Sequence, residues 1–365
     1  MILLRAIVCG GGTGGHIYPA LAIINKIKEK EPNSEFLYIG THNRMEKDII
    51  PKYDIDYVGI EMYGLKRKLS ISNVKTLYCY MNAFKKCKKV IKNFNPDVVI
   101  GVGGYITDPV ISTAKKLGYK TFIHEQNSIP GLSNRHLEKF ADKIAISFES
   151  SKKYFKNPEK IVYTGNPCGE NALQAKKIDK KELGLTPNKK LVLIVMGSLG
   201  SSKVNDIITT MLPMFNERDY EILFVTGKNY YEKITNKLKV PKNVKIVPYI
   251  DNMTRVMKTT DLMVSRAGAS TMSEIMSLEV PTIFIPSPYV TDNHQYKNAN
   301  DLVKTGAALL IEEENLKGDI LVRTIDELFR DKRKYNKLKE NLKDIGVKGS
   351  SEKIYKMLKE LVEEK

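Results

Sequence analysis

Two glycine-rich turns of one design occupy the first third of this chain. They are Gly10-Gly11-Gly12-Thr13-Gly14-Gly15-His16 and Gly101-Val102-Gly103-Gly104-Tyr105, each directly after an apolar run that reads as a buried strand. A glycine turn between a parallel strand and a helix aims unpaired backbone N–H groups and the positive end of the helix dipole at one point, which suits phosphate or diphosphate. The pairing predicts an α/β protein that handles anions.

Strand-like runs alternate with helix-like stretches throughout, the pattern of a parallel sheet covered by helices on both faces. In the first half the runs are Leu3 to Val8, Glu35 to Ile39, Asp97 to Gly101, Thr121 to His124 and Lys143 to Ile146. A second series covers Leu191 to Met196, Glu221 to Thr226, Val244 to Val247, Leu262 to Val264, Thr282 to Ile285 and Ala308 to Ile311. With 365 residues, two doubly wound domains are expected. The turn Gly165-Asn166-Pro167 marks the hinge, giving domains 1–164 and 165–347. The remainder, 348–365, carries Ile354, Met357, Leu358 and Leu361 on one face, so it is an amphipathic helix expected to pack back toward the N-terminal domain.

The formal charge of +17 implies an anionic partner or a lysine-rich genome. No apolar run approaches the roughly 20 residues that cross a bilayer, and the start of the chain lacks the pattern of a signal peptide, so a cytoplasmic protein is expected. Cys9, Cys79, Cys87 and Cys168 are dispersed, which points to neither a zinc site nor a disulfide framework.

Gly10-x-Gly12-x-x-Gly15 satisfies the dinucleotide fingerprint, but the strand Phe36-Leu37-Tyr38-Ile39 ends in Gly40-Thr41 instead of the acidic residue that would bind a ribose. A nicotinamide or flavin enzyme is set aside. His16, at the start of a helix, reads as a neutral imidazole able to accept a proton, or as a simple capping residue. Thr121 to Asn127 puts Glu125 and Asn127 at the carboxyl end of a strand; Glu125 is a candidate general base, or a loop carboxylate satisfied by amides. In the second half, Ser265-Arg266-Ala267-Gly268-Ala269-Ser270-Thr271 forms a second diphosphate cradle, while Thr271 and Glu274 also fit a capping box. The cluster Asp292 to Asn298 suits sugar hydroxyls, because amides both donate and accept.

Between Lys66 and Phe94 two apolar stripes lie among lysines: Leu77, Phe84, Cys87 and Ile91 form one, and Val74, Tyr78 and Met81 the other. A stripe at helical spacing is usually core. The excess of apolar surface in a basic field, with Val74, Tyr78, Met81, Phe84 and Lys85 as its residues, fits docking on an anionic phospholipid surface.

Gly11-Gly12-Thr13-Gly14-Gly15-His16-x-x-Pro19, Gly103-Gly104-Tyr105, His124-Glu125-Gln126-Asn127, Gly165-Asn166-Pro167, Ser265-Arg266-Ala267-Gly268-Ala269-x-Thr271-x-x-Glu274 and Gln295-Tyr296-x-Asn298 resemble the MurG family in order and spacing. These are the UDP-N-acetylglucosamine:lipid I N-acetylglucosaminyltransferases of bacterial cell-wall synthesis. The resemblance implies a GT-B fold of two Rossmann-like parallel-sheet domains with an interdomain cleft. It also implies inverting transfer of N-acetylglucosamine from UDP to the muramoyl 4-hydroxyl of undecaprenyl-diphosphate-linked muramoyl-pentapeptide, without metal or other cofactor, at the cytoplasmic face of the membrane.

By the same likeness Gly12, Gly14, Gly15, Gly103, Gly104 and Tyr105 face the acceptor diphosphate, and Thr13, Gly14, Gly15 and Asn127 line the donor sugar. Ser198 and Ala269, Ser270 and Thr271 hold the donor diphosphate, with Asn166 and Arg266 also on the substrate side. The Ile250 backbone meets the uracil, Glu274 the ribose, and Gln295 and Asn298 the transferred sugar. His16 and Glu125 are both candidates for activating the acceptor. Gly169 and Leu199 depart from the family, which commonly has Arg and Gln there; Arg266 or Lys203 is a candidate replacement for the missing cation. Rival readings are a UDP-N-acetylglucosamine 2-epimerase and a glycolipid-forming transferase on the same fold. Nucleic-acid binding is not expected, since no stacking platform of interleaved aromatic and basic residues is present.

Overall fold

The computed structural model describes residues 4–63, 71–197, 200–235 and 240–364. Val/Ile/Leu-rich runs become the buried strands of two parallel sheets, as expected for sheets covered on both faces. The first sheet contains β1 (Arg5–Cys9), β2 (Glu35–Thr41), β3 (Asp56–Ile60), β4 (Val98–Gly101), β5 (Lys120–Glu125), β6 (Lys143–Ile146) and β7 (Ile161–Tyr163), in the order β3-β2-β1-β4-β5-β6-β7. The second contains β8 (Lys190–Val195), β9 (Tyr220–Val225), β10 (Val244–Val247), β11 (Leu262–Ser265), β12 (Thr282–Phe284) and β13 (Leu309–Leu310), in the order β10-β9-β8-β11-β12-β13.

Strand β1 shows why the first sheet needs two covers. Ala6 and Val8 join one apolar cluster, with Ile17 and Ile24 of the helix Gly14–Lys30, while Ile7 and Cys9 join another on the opposite face, with Cys87, Ile91 and Ile111. The terminal helix Ser350–Glu363 buries Ile354, Met357, Leu358 and Leu361 in the first of these clusters. Each such side chain contributes roughly 1.5–3 kcal/mol. Tyr355 and Lys359 also reach Glu31, at 2.8 and 3.0 Å. The chain accordingly divides into a unit of residues 1–168 with 349–365, and a unit of residues 169–348.

Strand β3 has no counterpart in the sequence reading. Its burial is partial, and Asp56 and Gly59 dilute its apolar pattern at the sheet edge. On the helix Ile71–Phe94 the buried stripe is Thr76, Cys79, Ala83, Cys87 and Ile91. Leu77 is 59% exposed, unlike Cys87 and Ile91 of its stripe, and stands with Tyr78 (68%) and Met81 (60%). Phe84, expected on the outer patch, is half-buried against the Tyr80 ring, 5.0 Å between centroids. Lys85 is exposed, and the side chain of Val74 lies outside the described residues. Among the described residues no helix is long and apolar enough to cross a membrane.

Candidate active site

In each sheet the strand order reverses direction between two neighbours, β1 and β4 in the first and β8 and β11 in the second. Ligands of open parallel sheets bind beyond the carboxyl ends of the strands at such points. The predicted loops follow these four strands.

In the first unit the two glycine loops are zipped together. Gly11 N–H donates to the Gly103 carbonyl at 3.2 Å, and Val102 N–H to the Cys9 carbonyl at 2.8 Å. Gly103 and Gly104 have φ of +111° and +88°. A Cβ at Gly104 would lie 2.6 Å from the Gly11 oxygen, and one at Gly103 would lie 2.8 Å from Nε2 of His16. Only glycine allows both the backbone turn and the approach of the imidazole.

His16 sits in the first turn of the helix Gly14–Lys30, half-buried, with Nδ1 2.9 Å from the Gly11 carbonyl. A carbonyl only accepts, so Nδ1 carries the proton and Nε2 keeps its lone pair. Burial lowers its pKa, against smaller upward pulls from the Gly11 carbonyl and Glu46, so the ring is held neutral. That is the state of a base.

Glu125 is different. Its carboxylate is 1% exposed and accepts four hydrogen bonds: Asn127 N–H at 2.8 Å and Asn127 Nδ2 at 3.2 Å on one oxygen, Gly131 N–H at 3.1 Å and Asn134 Nδ2 at 2.8 Å on the other. Burial raises its pKa and those donors oppose the rise. Both oxygens are engaged in shaping the loop that carries Asn127. His124 is fully buried, with a pKa pushed down to about 4 by burial, and Gln126 donates to the Val102 carbonyl at 2.8 Å. Two polar atoms of the motif residues remain unpartnered in the interior: the Tyr105 hydroxyl and Nδ2 of Asn166, whose Oδ1 accepts from Cys168 N–H at 3.0 Å. Thr13, at the N-cap of the His16 helix, makes no capping bond with its side chain, and Gly12, Gly14 and Gly15 lie in the same turn.

In the second unit, the helix Ala269–Leu278 has Gly268, not Thr271, as its N-cap, so the capping-box arrangement of Thr271 and Glu274 is absent. Glu274 makes no hydrogen bond or ion pair among the described residues, and burial alone lifts its pKa to about 7. One turn earlier the Ser270 hydroxyl is buried and has no hydrogen-bond partner among the described residues. A carboxyl without donors and a hydroxyl without a partner near a helix N-terminus are groups free to meet water, an ion or a ligand.

Arg266, expected on the substrate side, is engaged within its own unit. It is 7% exposed and its guanidinium is taken up by the Ile285 carbonyl (2.9 Å), the Ser201 hydroxyl (3.0 Å) and Glu313 (2.6 Å). It clamps three loops. Burial raises the Glu313 pKa, but Arg266 and Lys203 outweigh it and hold the carboxyl below the usual range. Lys203, 3.2 Å from Glu313 and 2.8 Å from the Tyr289 hydroxyl, is 62% exposed and sits in the first turn of the helix Ser202–Met211. Asn298 is fully buried and donates to the Ala267 carbonyl at 3.4 Å, and Gln295 accepts from Ser287 N–H at 2.9 Å, so both brace the loops around the helix start. Ile250 is half-buried in the loop after β10. Ser198 and Leu199 lie outside the described residues.

The chain matches the glycosyltransferase family 28 N-terminal domain over residues 6–146 and the C-terminal domain of the same family over 191–358. A Bacillus cereus protein named UDP-N-acetylglucosamine--N-acetylmuramyl-(pentapeptide) pyrophosphoryl-undecaprenol N-acetylglucosamine transferase 1 is 44% identical, covering 98% of this chain and 100% of its own. The chain belongs to the MurG family. A Bacillus licheniformis protein of the same description is 44% identical over 98% and 99% of the two chains. Acinetobacter baumannii MurG has a TM-score of 0.76 at 25% identity, covering 98% of this chain and 99% of that one. The two parallel-sheet units are thus a GT-B fold. The Neisseria meningitidis UDP-GlcNAc 2-epimerase shares the fold alone, with a TM-score of 0.68 at 16% identity over 98% and 100% of the chains.

The departure from the common MurG pattern at Gly169 has a steric setting. A Cβ there would collide with the Ser277 hydroxyl and lie 3.0 Å from the Ser273 carbonyl oxygen, so an arginine does not fit this arrangement. Sequence reasoning missed one buried group entirely. Glu46, 0% exposed, accepts from Gly12 N–H at 3.1 Å, from Thr41 N–H at 3.1 Å and from the Thr41 hydroxyl at 2.6 Å. The segment Arg44-Met45-Glu46 carries no glycine or strand pattern; only the adjacency of β1 and β2 reveals its partners.

Proposed function

We propose that this chain transfers N-acetylglucosamine from UDP-N-acetylglucosamine to the muramoyl 4-hydroxyl of undecaprenyl-diphosphate-linked muramoyl-pentapeptide, making lipid II for peptidoglycan. The near full-length identity to relatives named for this reaction carries the reading. The site chemistry supports it. Nε2 of His16 takes the proton of the attacking hydroxyl, the bond from that oxygen to the anomeric carbon forms, and the bond from that carbon to the UDP oxygen breaks with inversion. Of the two candidate bases, His16 has the free lone pair and Glu125 does not.

The second unit holds the donor: Glu274 accepts from the ribose hydroxyls, Ser270 with the helix start of Ala269–Leu278 holds the diphosphate, and Lys203 supplies the cation that Gly169 does not. The departing UDP needs no metal in this reading. Leu77, Tyr78 and Met81, exposed beside Lys85, Lys88 and Lys89, rest on anionic phospholipid at the cytoplasmic face, where the acceptor resides.

The test is transfer of labelled N-acetylglucosamine to a water-soluble lipid I analogue in the presence of a chelator. Chelator-resistant formation of the disaccharide is expected. Epimerisation of UDP-N-acetylglucosamine without acceptor would favour the epimerase instead, and loss of transfer on chelation would overturn the metal-free reading.

A further inference from the structure

We propose that Glu46 is a positioning residue for His16, acting through the single peptide group between Gly11 and Gly12. Glu46 accepts from the N–H of that peptide at 3.1 Å, and the carbonyl of the same peptide accepts from Nδ1 of His16 at 2.9 Å. Carboxylate, peptide and imidazole therefore form one chain of hydrogen bonds. A negative charge on the N–H side polarises the peptide and makes its carbonyl a stronger acceptor, which fixes the Nδ1–H tautomer and favours the imidazolium formed when Nε2 takes a proton.

The site is built to admit this carboxylate. A Cβ at Gly11 would lie 2.9 Å from the Glu46 carboxyl carbon, and one at Gly40 would lie 2.8 Å from its Cγ, so both neighbours are glycines where Glu46 passes. Three donors bind its two oxygens, and no cation pairs with it among the described residues. A fully buried carboxylate without a counter-ion is costly, and an amide would satisfy a merely structural need more cheaply. The missing positive charge appears when His16 is protonated during transfer.

The surrounding titratable groups do not supply a competing charge. Tyr38, whose hydroxyl donates to the Gly10 carbonyl at 2.9 Å, Tyr57 and Cys9 are all pushed upward, chiefly by burial, and stay neutral. Asp48 acts on Tyr57, and Glu46 is the charged side chain that acts on His16.

This inference rests on His16 being the base, and its test separates the two ideas. In Glu46→Gln, kcat for the soluble acceptor should fall on the order of 10- to 100-fold. That is less than the roughly 10⁴-fold loss when the carboxylate bonded directly to a catalytic imidazole is replaced. Donor KM should stay within about twofold, and the acid limb of kcat/KM should move to lower pH by roughly half a unit to one unit. In the His16→Ala background the same substitution should have no further effect on kcat. An unchanged kcat and pH profile in Glu46→Gln, or an equal loss in both backgrounds, would overturn the proposal. Nitrogen NMR of the His16 ring in the wild-type protein provides a readout that does not depend on a variant folding: Nδ1–H is expected, and an Nε2–H tautomer would contradict the relay. Wild-type protein that transfers nothing would count against the function, while the tautomer would still decide the relay.

Discussion

The loop cluster of the first unit satisfies its carboxylates internally, whereas that of the second leaves one bare. Glu125 and Glu46 accept four and three hydrogen bonds from the loops around them, and Glu274 accepts none among the described residues. The difference is instructive because all three are acidic residues in glycine-loop surroundings. Saturated carboxylates fix backbone geometry: Glu46 holds the Gly11–Gly12 turn that presents His16, and Glu125 the loop that carries Asn127. The bare one is lifted to about 7 by desolvation, and under the proposed function it meets the hydroxyls that arrive with the donor.

The sharpest way to break this comparison is on the chemical side. His16→Ala should lower kcat by about 10²- to 10⁴-fold, the usual contribution of a general base, with donor KM nearly unchanged in steady-state assays. A smaller loss would shift the base elsewhere. Next in size, Glu274→Ala should raise donor KM roughly 10- to 100-fold, since hydrogen bonds to a charged group contribute about 1.5–3 kcal/mol. The wild-type donor KM should also rise as pH falls through about 7, because protonation removes the acceptor.

Stability should move in opposite directions at the two acids. The Glu274 pKa is raised in the folded state, so its ionisation opposes folding as pH rises above the unfolded value. Glu274→Gln should therefore melt higher than wild type at pH 7.5, with the gap closing below about pH 4.5, where the unfolded carboxyl is also protonated. Burial raises the Glu125 pKa as well, but Glu125→Gln should still melt lower, because an amide turned toward Gly131 N–H and Asn134 Nδ2 leaves donors facing donors, at about 1–3 kcal/mol for a lost buried partner, which outweighs the relieved charge. Equal shifts in both would dissolve the contrast. The smallest effect is expected at Lys203: replacing this exposed residue by Ala should raise donor KM about three- to tenfold and flatten its dependence on salt, as for a solvent-screened phosphate contact.

Much of this was legible in the chain. Apolar runs such as Lys143 to Ile146 and Val244 to Val247 are strands with the same ends in the structure, because parallel strands buried on both faces leave little ambiguity. The glycine loops, His16 and the carboxyl-edge position of Glu125 were visible for the same reason: they follow such strands directly. What stayed hidden depends on pairing across the sheet. Glu46 has meaning only because β2 lies beside β1. The engagement of Arg266 by Glu313 joins residues 47 positions apart, and no local pattern announces it. Which apolar positions of the helix Ile71–Phe94 are covered was not legible, because two stripes on one helix differ by a single rotation step and the sheet beneath decides; Leu77 is exposed while Cys87 and Ile91 of its stripe are buried.

The most direct test is calorimetric titration of UDP into wild-type protein, His16→Ala and Glu274→Ala under one buffer. The account predicts wild-type affinity in His16→Ala and about tenfold or greater weakening in Glu274→Ala. Undiminished UDP binding by Glu274→Ala, or weakened binding by His16→Ala, would contradict the division between a unit that activates the acceptor and a unit that holds the donor.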